Sequence, residues 1–162
     1  MSFEQFNLDA RLMAGIKAAG FVNPTPIQKQ AIPVVLNGQD VMGLAQTGTG
    51  KTAAFMLPIL QRLIQGQLRQ TRALIIAPTR ELAEQINQAT RDLARKTKIR
   101  SAAIYGGVNK GPQIKALRSG TEIIVATPGR LLDLTGDGHV DYSHIEVFVL
   151  DEADRLFDMG FL

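Results

Sequence analysis

Residues 41–52, reading Val-Met-Gly-Leu-Ala-Gln-Thr-Gly-Thr-Gly-Lys-Thr, constrain this chain more than any other stretch. An apolar run ends, glycines punctuate a tight loop, and Lys51 and Thr52 open a helix, which is the layout of a phosphate-binding loop. Glycine permits backbone conformations in which successive N–H groups converge on one concavity. A helix starting near Lys51 adds the positive end of its dipole to the same spot. On this reading Gln46, Thr47, Gly48, Thr49 and Gly50 form the cradle. Lys51 reaches the β- and γ-phosphates, and the Thr52 hydroxyl holds a magnesium ion. The usual pattern opens on glycine, whereas this chain has Ala45, whose Cβ keeps φ negative. Taken alone, the stretch also fits an ordinary strand–turn–helix with a surface lysine, so the rest of the chain has to decide.

A chain of 162 residues, 45% hydrophobic and 20% charged, is long enough for one core and too apolar for disorder. No apolar run approaches the roughly 18 residues of a membrane span. The start, Met1-Ser2-Phe3-Glu4-Gln5, lacks the basic and apolar regions of a secretory signal. A cytoplasmic protein without a membrane partner is therefore expected. There is no cysteine, so disulfides and thiolate metal sites are excluded. The net charge of +3 permits nucleic-acid binding without arguing for it.

From the N-terminus, Leu8, Leu12, Ile16 and Ala19 recur at helical spacing, with Asp9 and Gly20 as start and stop signals. Pro24 and Pro26 interrupt the loop that follows, and Pro26 suits the first turn of a second helix through Gln28, Ala31 and Val35 to Asn37 and Gly38. Pro33 is expected to bend that helix. By spacing alone, Gln28 reads as a solvated helix residue. Beyond Asp40 strand and helix alternate. Strands are predicted at 41–45, 73–77, 100–105, 122–126 and 147–150, and helices at 51–65, 79–98, 109–117, 129–134 and from 151. The run at 73–77 is continuously apolar, as in a strand buried on both faces. Repeated β–α units imply an α/β fold, mainly a parallel sheet with helices on both faces, whose ligands sit at the carboxyl ends of the strands. His139 and His144 fall in a polar loop and read as surface residues. The chain stops directly after a helix, with no polar tail, which reads as a piece of something longer.

Asp151 and Glu152 follow an apolar strand about a hundred residues after the phosphate loop. A carboxylate at that place can reach magnesium through water, and its neighbour can orient and deprotonate an attacking water. The alternative is that the pair merely caps a helix N-terminus. Combined with the phosphate loop, the pair points to hydrolysis of a nucleoside triphosphate, with the protein supplying position and electrostatics.

These motifs bring out a resemblance. Asp151-Glu152-Ala153-Asp154 together with this phosphate loop resembles the first RecA-like domain of a DEAD-box ATP-dependent RNA helicase. Phe21-Val22-Asn23-Pro24-Thr25-Pro26-Ile27-Gln28 is similar to the family's Q motif, with Phe3 at the place of its upstream aromatic. Pro78-Thr79-Arg80-Glu81-Leu82-Ala83, the pair Gly106 and Gly107, and Thr127-Pro128-Gly129-Arg130 follow in the family's order. Ala45 is common in the family. The resemblance covers the whole chain and implies a RecA-like P-loop fold for residues 1–162 as a single domain. Residues 1–38 would hold the Q motif and residues 39–162 the core from the P-loop to the acidic motif. The C-terminal RecA-like domain, with its arginine finger, would be absent.

The resemblance also assigns roles. ATP and Mg2+ are the implied cofactors. Lys51, Asp151 and Glu152 would be catalytic, with Thr52 holding the metal directly and Asp151 through water. Gln28 would read adenine, since a carboxamide offers a donor and an acceptor side by side to its N7 and N6 edge, and Thr25 would belong to the nucleotide site. Phe21 would stack on the base, or else be an ordinary core phenylalanine. Pro78, Thr79, Arg80, Gly106, Gly107, Thr127, Pro128, Gly129 and Arg130 would contact the RNA backbone, with little sequence preference. Asp154 would couple the nucleotide site to the next motif. The implied partners are RNA, the C-terminal RecA-like domain and protein cofactors. These 162 residues alone are expected to bind adenine nucleotide and, weakly, RNA, with little turnover. A non-catalytic P-loop scaffold is the competing reading; a P-loop kinase lacks a lid-like basic segment.

Overall fold

The computed structural model describes residues 2–161. They form two compact units, one taking residues up to Gly66 together with Ala89–Lys98, the other Gln67–Gln88 and the residues from Ile99 onward.

The first unit is helical. After a 3-10 turn, Phe3–Phe6, come α1 (Ala10–Ala18), α2 (Pro26–Leu36) and α3 (Lys51–Ile64), joined by the last residues of α4 (Arg80–Ala94). Asp9 caps α1 by accepting from the Arg11 N–H at 2.9 Å. The Arg11 guanidinium closes on the same carboxylate and holds the Asp9 pKa down to about 2. Pro26 occupies the first turn of α2, where its missing N–H costs nothing. Pro33 is accommodated inside α2, which runs on to Leu36. α2 packs against α3, whose Ala53, Ala54, Met56, Leu57, Ile59, Leu60 and Leu63 are all buried.

α1 meets α4 through a glycine. A Cβ on Gly15 would lie 2.2 Å from the Leu93 carbonyl oxygen, and backbone at that place cannot swing aside. Gly15→Ala should therefore destabilise the chain by about 2–3 kcal/mol, the upper range of overpacking. A urea melt within about 0.5 kcal/mol of the unchanged chain would disprove this close approach.

One predicted strand is not formed. Residues 41–46 carry no sheet hydrogen bonding, and Met42 and Leu44 are 91% and 92% exposed. An apolar, β-branched run records a tendency to pair, but a strand exists only where a neighbouring strand completes its ladder. Among the described residues the single sheet has four strands, and this segment is not one of them.

The second unit is the α/β part. Strands β1 (Ala73–Ile76), β2 (Ser101–Ile104), β3 (Ile123–Ala126) and β4 (Val147–Leu150) form a sheet in the order β2-β3-β1-β4, all parallel. α4, α5 (Gly111–Ser119) and α6 (Pro128–Gly136) connect successive strands, and the short α7 (Ala153–Asp158) follows β4. The central strands β1 and β3 are buried at every position, as the continuous apolar runs require. Leu74, Ile76, Ala102, Ile104, Ile124 and Ala126 from the sheet pack with Leu131, Leu134 and Leu156. β4 is an edge strand, with Phe148 57% exposed.

At the amino ends of the strands a fully buried carboxylate ties three segments together. Glu122 accepts from the Arg69 N–H at 2.8 Å and the Arg100 N–H at 2.7 Å. Arg72 pairs with Glu146 nearby. The registers Ile76↔Ala126, Ile76↔Leu150 and Ile104↔Ala126 leave the four carboxyl ends level on the opposite edge. The α/β fold with a parallel sheet expected for a RecA-like domain is thus present.

Candidate functional site

In the first unit the loop 46–52, the candidate phosphate cradle, has the backbone that its glycines permit. Gly48 and Gly50 stand at φ +83° and +82°, the left-handed region where a Cβ is strained. The Thr49 hydroxyl donates to the Gln46 carbonyl at 2.7 Å and closes the turn. Gly50 caps α3, so Lys51 and Thr52 are its first two residues, at the positive end of the helix dipole. Both side chains are half-buried. Thr52 brings a hydroxyl, a hard oxygen donor of the kind magnesium takes.

Gln28 is buried, not solvated, and it is brought to this loop. Its Oε1 accepts from the Thr25 N–H at 3.0 Å and its Nε2 donates to the Gly50 carbonyl at 3.0 Å. The carboxamide is thus spent at both ends on the protein. A Cβ on Gly50 would sit 2.5 Å from that Nε2, so the loop and Gln28 are fitted to one another. The Thr25 hydroxyl beside them is buried without a hydrogen-bond partner. Phe21 is 39% exposed, its ring tilted 53° against Phe3 with centroids 6.3 Å apart, so it is not an ordinary core residue. Phe3 is one: it is buried beside Phe6.

In the second unit the carboxyl ends of the four strands carry the other candidates in a row. After β4, Asp151 is buried, and its Oδ1 accepts from the Glu152 N–H at 3.0 Å. Glu152 adopts φ 49°, ψ 53°, a left-handed conformation that an amino acid with a Cβ holds only when its surroundings impose it. After β1, Pro78 is buried and the Thr79 hydroxyl accepts from the Leu82 N–H at 3.2 Å, capping α4. After β3, Thr127 precedes α6, with Pro128 in its first turn and Gly129 exposed. Pro128 has no N–H, so Gly129 and Arg130 supply the free donors of that end. After β2, Gly106 and Gly107 are exposed, Gly107 at φ +80°.

Three of these places are tied to one another by side chains. The Arg80 guanidinium lies over the Tyr105 ring, 5.2 Å from its centroid. The Tyr105 hydroxyl donates to Glu84 at 2.6 Å, and this bond raises the Tyr105 pKa above its ordinary value. Arg130 is turned inward, donating to Gln113 and to the Val108 carbonyl. Lys110 pairs with Asp133 at 2.7 Å, which holds the Asp133 carboxyl below its ordinary value. Gln113, Tyr105 and Glu84 were not singled out by the sequence. Gln113 sits on a helix at a spacing that reads as solvated surface, and only its buried position in the structure reveals it.

Comparison with known proteins agrees with this arrangement. The sequence is 50% identical over 162 residues to the DEAD-box ATP-dependent RNA helicase CshA of Streptococcus pneumoniae, covering all of this chain and 31% of the relative. It is 48% identical over 163 residues to DEAD-box ATP-dependent RNA helicase 30 of Oryza sativa, covering 98% of this chain and 24% of the relative. It is 48% identical over 161 residues to the ATP-dependent RNA helicase DBP3 of Lodderomyces elongisporus, covering 99% and 30%. The chain thus spans about a quarter to a third of the length of these relatives. No helix among the described residues is long and apolar enough to cross a membrane. Residues 25–162 match the sequence profile of the DEAD/DEAH box helicase family, and with a parallel sheet carrying the acidic pair and the three glycine- and threonine-marked loops on one edge, the chain belongs to that family.

Proposed function

We propose that residues 1–162 act as the ATP-binding half of a cytoplasmic RNA helicase that couples ATP binding and hydrolysis to local unwinding or remodelling of RNA duplexes. The observation that carries this reading is the level row of strand ends in the parallel sheet. It presents an acidic pair at β4 and backbone donors for phosphate at β1, β3 and β2. Ligands of parallel α/β sheets bind at that edge.

In this reading the N–H groups of residues 46–52 and the Lys51 ammonium hold the phosphates, and the aromatic face of Phe21 takes the base. Thr52 and Asp151 are the residues that would hold a magnesium ion, with Asp151 acting through water, and the ion would neutralise charge on the phosphates. Glu152 orients the attacking water and takes its proton. Pro78, Thr79, Arg80, Gly106, Gly107, Thr127, Pro128, Gly129 and Arg130 make up the RNA-binding edge, Arg130 through its backbone N–H and its hold on the neighbouring loop. RNA is held by its backbone, so affinity falls with salt and not with sequence. The remaining partners are a C-terminal RecA-like domain and protein cofactors. These 162 residues by themselves bind adenine nucleotide and, weakly, RNA, and turn over slowly, because an arginine finger contributes on the order of 10³–10⁵ in rate. Calorimetry with ATP, ADP and AMP, together with a salt series of RNA titrations, tests both halves. RNA-stimulated turnover by this chain alone would contradict the slow-turnover part.

Gln28 has two duties in this reading. It holds the Gly50 carbonyl in the structure described here, and it exchanges those bonds for adenine when nucleotide binds. Gln28→Ala should lower ATP affinity about tenfold and GTP affinity less, since guanine presents two acceptors where adenine presents a donor and an acceptor. Equal losses for the two nucleotides would leave Gln28 only the loop-holding duty.

A further inference from the structure

We propose that Gln113 is a positioning residue for RNA binding, and that Arg130 serves the same end by holding a loop and not by touching phosphate. This rests on the reading of the strand-end row as an RNA surface. The loop in question joins β2 to α5 and carries Gly106 and Gly107, which are exposed, with Gly107 at φ +80°. A short loop with two glycines has many conformations open to it, and something has to select one.

The structure assigns that selection to two side chains. Gln113 is 8% exposed, and its Nε2 donates to the Tyr105 carbonyl at 3.0 Å, immediately before the glycines. Arg130 donates through one guanidinium nitrogen to the Val108 carbonyl at 3.0 Å, immediately after them. The same guanidinium donates to Gln113 Oε1 at 3.3 Å, so one hydrogen-bonded chain grips both flanks of the pair. Its third nitrogen faces Asp133 at 3.8 Å, and Asp133 is itself held by Lys110. The Arg130 side chain is only 11% exposed. An arginine used in this way has its donors spent on protein and offers phosphate little. What faces outward is the exposed backbone of Gly106 and Gly107, with Arg80 on the Tyr105 ring beside it. The Arg80 guanidinium would be 3.6 Å from a Cβ placed on Gly107.

A clamp and a phosphate contact respond differently to substitution. Removing a phosphate contact lowers the slope of log affinity against log salt by about one and affects all sequences alike. Releasing a loop weakens binding and leaves that slope unchanged. Lysine keeps the charge of arginine but not its planar fork, so it can replace a phosphate contact and cannot replace this clamp.

The experiment uses the 162-residue chain and a fluorescein-labelled single-stranded oligouridine, titrated from low to moderate salt. Amide exchange at Gly106, Gly107 and Val108 is followed by NMR in parallel, and a thermal melt of each variant confirms folding. Gln113→Leu and Arg130→Lys should each weaken RNA binding about tenfold with the salt slope unchanged, the effect of leaving a buried hydrogen-bond partner unmatched. Exchange at the three loop amides should accelerate at least about tenfold, while the β1 and β3 amides stay as they were. Gln113→Glu, which keeps the acceptor for Arg130 and loses the donor to Tyr105, should fall between Gln113→Leu and the unchanged chain. The proposal is overturned if Arg130→Lys binds like the unchanged chain while Arg130→Ala loses a unit of slope. It is also overturned if Gln113→Leu leaves the loop amides protected. If the unchanged chain shows no salt-dependent RNA binding, the RNA reading itself fails and the positioning role falls with it. The exchange data then report only on the clamp.

Discussion

Lys51→Ala should abolish measurable nucleotide binding, lowering affinity for ADP and ATP by at least about a hundredfold. Lys51 is the first residue of α3, and Gly50 caps that helix in the left-handed conformation, so the lysine leaves the backbone at the positive end of the helix dipole. An ammonium on phosphate makes charge-assisted hydrogen bonds of about 1.5–3 kcal/mol each, and two such bonds exceed a hundredfold in binding. The fold should survive, because Lys51 is half-buried at a helix start, and a helix start tolerates alanine. The measurement is calorimetry with ADP on a sample whose urea melt matches the unchanged chain. Undiminished heat from the variant would remove the phosphate loop from the nucleotide site.

Glu152 carries the second large effect, and it couples chemistry to backbone strain. Glu152→Gln should slow hydrolysis about 10²- to 10⁴-fold, the usual contribution of a general base, while leaving ATP affinity within about threefold. The assay is single-turnover hydrolysis at saturating RNA in a chain that carries the second RecA-like domain. The same residue sits at φ 49°, ψ 53°. Glycine adopts that conformation without a Cβ penalty, so Glu152→Gly should be as inactive as Glu152→Gln yet up to about 1 kcal/mol more stable. A gain in stability on removing a charged side chain is not expected of a residue that merely caps a helix. If Glu152→Gly loses stability, the strain argument fails. If Glu152→Gln hydrolyses ATP at the original rate, the carboxylate is no base.

Much of the candidate site's local geometry could be read without coordinates. The turn at 46–50 is legible because glycine is the residue that tolerates φ near +80°, and Gly48 and Gly50 stand there. The strands β1 and β3 were legible as continuous apolar runs, since a strand covered on both faces leaves no room for alternation. β4 was legible as an apolar run too, but its place at the sheet edge leaves Phe148 and Leu150 exposed, which the run does not show. Membership of the helicase family was legible for the same reason: its motifs are short, local and in order.

What local sequence could not determine were the partners of each group. The run at 41–45 has the composition of a strand, but a strand requires a neighbour to complete its ladder, and the sheet does not include this run. Gln28 reads as solvated from its spacing, yet it is buried because Gly50 arrives against it from 22 residues away. Arg130 looks like a cation for phosphate. It turns inward because Gln113 and Val108 present acceptors within reach, which the folded loop creates and its sequence does not display. Sequence by itself determined which residue types stand at each strand end, because backbone conformation and burial impose those types locally. Only the tertiary structure decided which of their hydrogen-bonding groups remain free for a ligand, because that depends on which distant acceptors folding places within about 3 Å of each donor.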